Sequence, residues 1–451
     1  MTEPELKETI DTLDKSYSWH AYTQMQEYLE IPPLHIARGE GSWLYDIEGN
    51  RYLDANASIW TNVHGHNDSD LNSAFREQLD KVAHSTWLGL SHPIGCQLAE
   101  KIISHTPDNL TRVVFSDNGS TAIETALKLS FQYWQLTAKP EKQLVLNMKG
   151  AYHGDTFGAM AAGDGQGFHQ RFTSWLFETR SFPAPRCSEH GGTVYKACDT
   201  ESLAQLKEIL ETEADRIACL ILEPSIQGAA GMRLQPPGFL KKVERLCRSY
   251  NIHLIIDEVF VGFGRLGSML VSQAEGIQPD FLCLAKGITG GYFPLSATVT
   301  SETIYQAFLG PFESYRTFFH GHTFSANPLG AAVALKSIQK LETLIKSGQL
   351  AETVSTFSAG VKHHLANHPR VREIRQRGLA AAVDLYPGEE GTSYPIEQRT
   401  GLKVCIAARS NELLLRPLED SIILVPPLVI KTDEIEFLLS NLVKTMNTTL
   451  L

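Results

Sequence analysis

Between about residues 110 and 290 the chain alternates short apolar runs with segments of helical period. The apolar runs are Arg112–Ser116 (RVVFS), Gln143–Met148, Ile217–Leu222 (IACLIL), His253–Ile256 and Phe281–Ala285 (FLCLA). They are short and nearly continuous, which is how a strand buried on both faces reads. Between them lie Thr121–Trp134, with apolar residues at Ala122, Ile123, Ala126, Leu127, Leu129 and Phe131, and Gly238–Tyr250, with Lys and Arg on an outer face. Spacings of three and four are helical. Strand–helix alternation sustained over this length predicts an α/β fold, a largely parallel central sheet covered by helices.

The flanks read differently. Leu71–Val82 and Cys96–His105 are predicted helices, and helices return from Pro328 to Leu365. Before them SWLYDIEGNRYLDA alternates and turns at Glu48-Gly49-Asn50, a hairpin signal. Strand and hairpin pieces come back from Val371 to Val429. The expected layout is a large α/β domain over residues 66–335 and a smaller α+β domain combining residues 1–65 with 336–451.

Composition narrows the function class. With 43% hydrophobic and 20% charged residues the chain can bury a core, so disorder and coiled coil are excluded. A net charge of −11 lacks the basic footprint of nucleic-acid or anionic-membrane binding. No run of about 18 apolar residues occurs, so no transmembrane helix is expected. The opening MTEPELKETIDTLDK has no apolar core of a signal peptide. Cys96, Cys187, Cys198, Cys219, Cys247, Cys283 and Cys405 are scattered, odd in number and without C-x-x-C, which argues against a zinc site or a disulfide framework. A reducing cytoplasm is the expected location.

In open parallel sheets ligands bind outside the carboxyl ends of the strands. Four polar groups follow predicted strands: Asp117-Asn118-Gly119-Ser120, Tyr152-His153-Gly154-Asp155, Asp257 and Lys286. Gly119-Ser120 opens a helix, where free N–H groups favour an anion such as phosphate; Ser120 reads equally well as a plain N-cap. Asp257 ends HLIID, and a buried carboxylate there needs a cation or donors. A protonated heterocyclic nitrogen would serve, as would a structural ion pair or a cap. Lys286 follows FLCLA directly and precedes Gly287-Ile288-Thr289-Gly290-Gly291. Desolvation there lowers its proton affinity and suits Schiff-base chemistry; the alternative is a Lys snorkelling at a strand end. Gly262–Gly267 (GFGRLG) matches the dinucleotide fingerprint but starts well past the strand end and opens no βαβ unit. His64-Gly65-His66 and His320-Gly321-His322 lack carboxylate partners at metal-ligand spacing, so close packing explains them better than zinc.

Anion donors at a helix start, then an Asp, then a Lys, in that chain order, make a pyridoxal-phosphate (PLP) pattern. With it the chain resembles the class III, fold-type I aminotransferases, and within them the biotin-pathway branch that aminates 8-amino-7-oxononanoate to 7,8-diaminononanoate. The resemblance runs from about Trp19 to Pro427. It rests on WHAYTQM at 19–25, NVHGHN at 62–67, DNGSTAIETALK at 117–128, YHGDTFGAM at 152–160, EPSIQGAAGM at 223–232, IIDEV at 255–259, GFGR at 262–265, AKGITGGY at 285–292 and FFHGHTFSANPLG at 318–330.

The resemblance implies roles. Lys286 holds PLP as a Schiff base and moves the α-proton. Asp257 pairs with the pyridine nitrogen, and Tyr152 stacks on the ring. Gly119 and Ser120 bind the phosphate, with His322 and Thr323 completing that site from the partner of a homodimer. Gln227 lies near the ring hydroxyl. Tyr22, at the substrate mouth, joins Lys286 and Asp257 in the catalytic set. Ile59, Trp60, Gly321 and Arg416 meet substrate together with Tyr22, Tyr152 and Lys286, Arg416 gripping the carboxylate. S-adenosylmethionine is the expected amino donor. Where donor-binding relatives carry a Trp pair, this chain has Ile59-Trp60, and some relatives with an aliphatic residue there use lysine. Phe260, Val261 and Leu266 are bulkier or less polar than the family pattern. The rivals are an ω-aminotransferase using pyruvate, a nicotinamide oxidoreductase built on GFGRLG, and a PLP-fold binding protein without catalysis.

Overall fold

The computed structural model describes residues 3–164, 167–185 and 198–451. Its centre is a seven-stranded sheet, in spatial order Leu110–Ser116, Ser296–Ser301, Phe281–Leu284, His253–Asp257, Ile217–Leu222, Leu144–Met148 and Thr179–Phe182. Ser296–Ser301 runs antiparallel to both neighbours, and every other pair is parallel. The three apolar runs at its middle are buried at every residue. Alternate residues serve opposite faces. Ile255, Phe281 and Ile221 pack with Ala122, Ile123 and Ala126 of the helix Gly119–Leu136, whereas Leu254, Ile256 and Leu282 pack with Phe239, Leu240 and Val243 of Phe239–Ser249.

Smaller sheets use the chain ends. Ile36–Glu40, Trp43–Asp46 and Arg51–Asp54 run antiparallel. Their predicted turn is closed by Asp46, whose carboxylate accepts from the N–H groups of Glu48 and Asn50, both at 2.9 Å. Leu413–Leu414 then adds in parallel beside Arg51–Asp54. Val371–Arg377, Ala380–Leu385, Ser421–Leu424 and Arg416–Leu418 form an antiparallel sheet. Arg375 crosses it with a bidentate pair to Asp384, both contacts at 2.6 Å.

The glycine-rich stretch at 262–267 is a junction. Arg265 is 2% exposed and donates to the carbonyls of Asn62 (3.3 Å), Leu379 (3.2 Å) and Pro426 (2.5 Å). Burial pulls its pKa down to about 9 against the opposing charge of Asp54. The next helix, Val271–Ala274, is one turn long, so no dinucleotide-type helix follows.

Several elements lie outside the sequence expectations. Glu3–Tyr17 and Thr432–Leu450 are helices, and Thr400–Ala408 interrupts the strand-rich C-terminal stretch with a helix. Cys96, Cys219, Cys247, Cys283 and Cys405 are free. Cys198 is disulfide-bonded, a departure from the unpaired thiols expected of the sequence, and Cys187 lies outside the described residues. Among the described residues no helix is long and apolar enough to cross a membrane.

Candidate active site

At the carboxyl ends of the central strands lies a cavity of about 460 Å³, walled by Lys286, Asp257, Glu223, Tyr152, Ser120 and Trp60 among others. Lys286 comes two residues after Phe281–Leu284, at φ +45°. A non-glycine residue is costly in that region, and such strain concentrates at functional sites. Its Nζ has no hydrogen-bond partner among the described residues and lies 5.4 Å from the ring centre of Trp60 and 5.8 Å from that of Phe260. Burial lowers the Lys286 pKa, opposed by the charges of Asp257, Glu223 and Asp155.

Two carboxylates close the floor. Asp257 caps its own strand, with Oδ1 accepting from the Val259 N–H at 2.9 Å and Oδ2 lying 2.7 Å from His153 Nδ1. Glu223 ends the neighbouring strand and accepts from the N–H groups of Gly228 (2.9 Å) and Tyr152 (3.4 Å). Burial and then the Asp257 charge raise its pKa to about 7, with His153 pulling the other way. Glu223 and His153 sit within quoted motifs, and His153 within one of the four strand-end groups, yet neither is given a role by the sequence. The signal that finds them is Glu223's place at a strand end, the same criterion that selects Asp257.

The anion end is built by Gly119–Leu136. Its N-cap is Asn118, not Ser120. Asn118 accepts from the Thr121 N–H at 3.1 Å, and the Thr121 hydroxyl accepts from the Asn118 N–H at 3.0 Å. Ser120 is thereby spared capping, and its hydroxyl accepts from the Asp155 N–H at 3.1 Å. Gly119 is required by packing, since a Cβ there would stand 2.6 Å from Val259 Cγ1.

Tyr152 stacks on His169 (5.6 Å, 23°). Its hydroxyl lies 3.5 Å from that of Tyr22, which donates to Asp155 at 2.5 Å; Asp155 also holds His169 at 3.0 Å. Burial and then the Asp155 bond push the Tyr22 pKa up to about 12. Gln227 donates to the Lys149 carbonyl at 3.1 Å, while its buried Oε1 has no partner.

The remaining expected residues are spread outward. Ile59 is 45% exposed, and Trp60 packs on Phe260 with ring centres 4.4 Å apart and planes tilted by 42°. Residues Ala57, Ser58, Ile59 and Trp60 all have positive φ, a left-handed turn closed by Trp60 N–H to Asn56 O and Thr61 N–H to Ala57 O, both 2.8 Å. Phe260 and Val261 are buried with Ile226 and Met232, and Leu266 packs on that cluster. The bulk of these three residues therefore backs Trp60. Arg416 is exposed at the start of its strand and has no carboxylate partner among the described residues, although its charge is felt at Tyr22. His322 Nδ1 lies 2.7 Å from Asp117 Oδ2. Gly321 and Thr323 are exposed and are not among the residues lining the cavity within this chain.

Comparison with known proteins places this geometry in a family. The class-III aminotransferase model matches residues 23–446. The chain is 44% identical to adenosylmethionine-8-amino-7-oxononanoate aminotransferase of Geobacter sulfurreducens, with 98% of each chain covered. The crystal structure of the enzyme of that name from Methanocaldococcus jannaschii superposes with a TM-score of 0.93 at 36% identity, covering 99% of this chain and 100% of that one. A PLP-bound amine transaminase from an uncultivated Pseudomonas species gives 0.89 at 32% identity, covering 96% and 99%. The chain belongs to the class-III aminotransferases and is a PLP-dependent enzyme.

Proposed function

We propose that this enzyme converts 8-amino-7-oxononanoate to 7,8-diaminononanoate in biotin synthesis, taking the amino group from S-adenosylmethionine. The observation that carries the catalytic part is Lys286. It is a half-buried amine, without a hydrogen-bond partner among the described residues, that shares with two carboxylates a cavity ending at a helix N-terminus. The substrate part is supported by full-length relatives that bear this reaction in their names.

The residues present fit PLP. An unpartnered Lys286 Nζ, the orphaned Gln227 Oε1 and the open N–H groups of Gly119 and Ser120 meet its aldehyde, ring hydroxyl and phosphate in kind. Asp257 would take the pyridine nitrogen, and Tyr152 would cover the ring. PLP when bound supplies an electron sink for the electrons left at the substrate carbon. Burial favours the neutral form of Lys286, so its Nζ can attack a carbonyl carbon and later carry the α-proton of the amino substrate. His153 and the Val259 N–H hold the Asp257 carboxylate in one orientation. Tyr22 closes the mouth through Asp155, and the Arg416 fork is free for the carboxylate of the keto acid.

We further infer a cytoplasmic homodimer that completes the site with Gly321, His322 and Thr323 of the second copy. Support comes from the apolar surface around them. Leu88 (61% exposed) lies against Gly321, and Phe324 (59%) packs on His84. Lysine is the alternative donor, favoured by the aliphatic Ile59 at the rim. A donor panel with 8-amino-7-oxononanoate as acceptor tests the reading. S-adenosylmethionine is expected to yield 7,8-diaminononanoate. Product with lysine alone moves the donor assignment, and turnover of ω-amines with pyruvate but never of the keto acid overturns the reading.

A further inference from the structure

We propose that Asp54 is a positioning residue for the substrate side of the site. Through Ser58 and His66 it holds Ala57–Trp60 in a left-handed turn and so fixes where Trp60 stands against Lys286. The inference rests on the aminotransferase reading and names how one wall of that site is held.

Four consecutive non-glycine residues with positive φ do not persist on their own hydrogen bonds, because a right-handed turn makes equivalent bonds at lower cost. Core burial does not explain the turn either. Of the four side chains only Ala57 is fully buried, while Ser58 and Ile59 are exposed. What fastens the turn is Asp54, 0% exposed at the end of Arg51–Asp54. Its Oδ1 accepts from the Asn56 N–H at 3.1 Å. Its Oδ2 accepts from the Ser58 N–H (2.9 Å), the Ser58 hydroxyl (3.3 Å) and His66 Nε2 (2.9 Å).

The His66 tautomer follows from its neighbours. Asn62 Oδ1 accepts from the Gly65 N–H at 2.7 Å, which turns its amide nitrogen toward His66 Nδ1 at 3.1 Å. Nδ1 is therefore an acceptor, and Nε2 carries the proton donated to Asp54. Gly65 is needed for this approach, since a Cβ there would stand 2.9 Å from the Gly41 carbonyl. At the far end Asn56 Oδ1 accepts from the Trp60 indole N–H at 3.2 Å. The turn is thus bound at Ser58 and at Trp60, and the Trp60 ring faces Lys286 Nζ at 5.4 Å. Trp60 is the one of the four that lines the cavity, so the strain is kept where it sets a cavity wall, the pattern of a positioned binding wall.

The test uses Asp54→Asn holoenzyme, with Trp60→Phe to isolate the near-ultraviolet circular dichroism band of Trp60 as a difference spectrum. Asp54→Asn is expected to lose that band and to raise KM for 8-amino-7-oxononanoate at least tenfold, with kcat changed less than threefold. Adding Ala57→Gly and Ser58→Gly, which visit positive φ freely, restores both. If Asp54→Asn retains the band and KM, or if the glycine pair restores neither, Asp54 is a structural residue only and the proposal is overturned. Where Asp54→Asn does not fold, His66→Phe is read by the same two outcomes. Should the wild type fail to use the keto acid, the functional reading falls, while the dichroism arm still decides whether Asp54 sets the turn.

Discussion

The floor and the rim of the cavity are built by different means. The floor groups, Asp257, Glu223 and Lys286, stand at or just past the ends of neighbouring buried strands, and the two acids find donors within hydrogen-bond reach. The residues assigned to the rim of the proposed site, Tyr22, Ile59 and Arg416, come from exposed turns and a strand edge contributed by distant parts of the chain. Regular elements give the floor a rigid frame, and in the proposed function the choice of substrate falls to segments the core does not constrain.

Substitutions test that division from its strong end. Lys286→Ala is expected to lower turnover by about 10³-fold or more and to abolish the visible band of bound cofactor. An active Lys286→Ala enzyme would remove the floor from the chemistry altogether. Asp257→Asn keeps the shape of the floor but removes its charge, with an expected loss of about 10²-fold in kcat. A variant slowed only in KM would assign Asp257 to the rim instead. Arg416→Ala belongs to the rim, so KM for the keto acid should rise roughly 10- to 100-fold, the scale of one charged hydrogen bond, with kcat held. A fall in kcat alone would contradict the division.

The smallest effect is on stability. The Glu223 pKa lies near 7 in the folded protein, above the ordinary carboxyl value of 4.5. The unfolded chain therefore releases this proton first as pH rises. The contribution of Glu223 is fully present below pH 4.5 and is lost as pH climbs through about 7. Thermal melts of cofactor-free protein between pH 5 and pH 8 should fall less for Glu223→Gln than for wild type. Equal slopes would separate Glu223 from the floor's electrostatics.

The same division governs what is legible in the sequence. The buried strands announce themselves as IACLIL, HLIID and FLCLA, and position alone singles out Asp257 and Lys286, whereas Glu223, at the end of the first, is passed over. Ser296–Ser301 (SATVTS) is missed because its buried Thr and Ser read as loop. It pairs antiparallel with strands on both sides, so no crossover helix marks it. The helix Glu3–Tyr17 is largely polar, with no fully buried residue among its described side chains, and so leaves little apolar stripe to read. Ser120 looks like a cap because small polar residues open helices. Only the pairing of Asn118 with Thr121 shows which residue caps and which is left over. The rim residues are proposed through family resemblance alone, since an exposed Arg416 or Ile59 has no periodic pattern of its own.

Arg265 ties together parts of the chain that are far apart in sequence. Its three acceptors belong to residues 62, 379 and 426, and the strand carrying Asp54 gains its parallel neighbour only at Leu413–Leu414. The central strands can pair once residue 301 has emerged, but the wall containing Trp60 lacks its lateral support until nearly the whole chain has been made. Any truncation before residue 426 would remove at least one of the three carbonyls that meet the buried Arg265 charge.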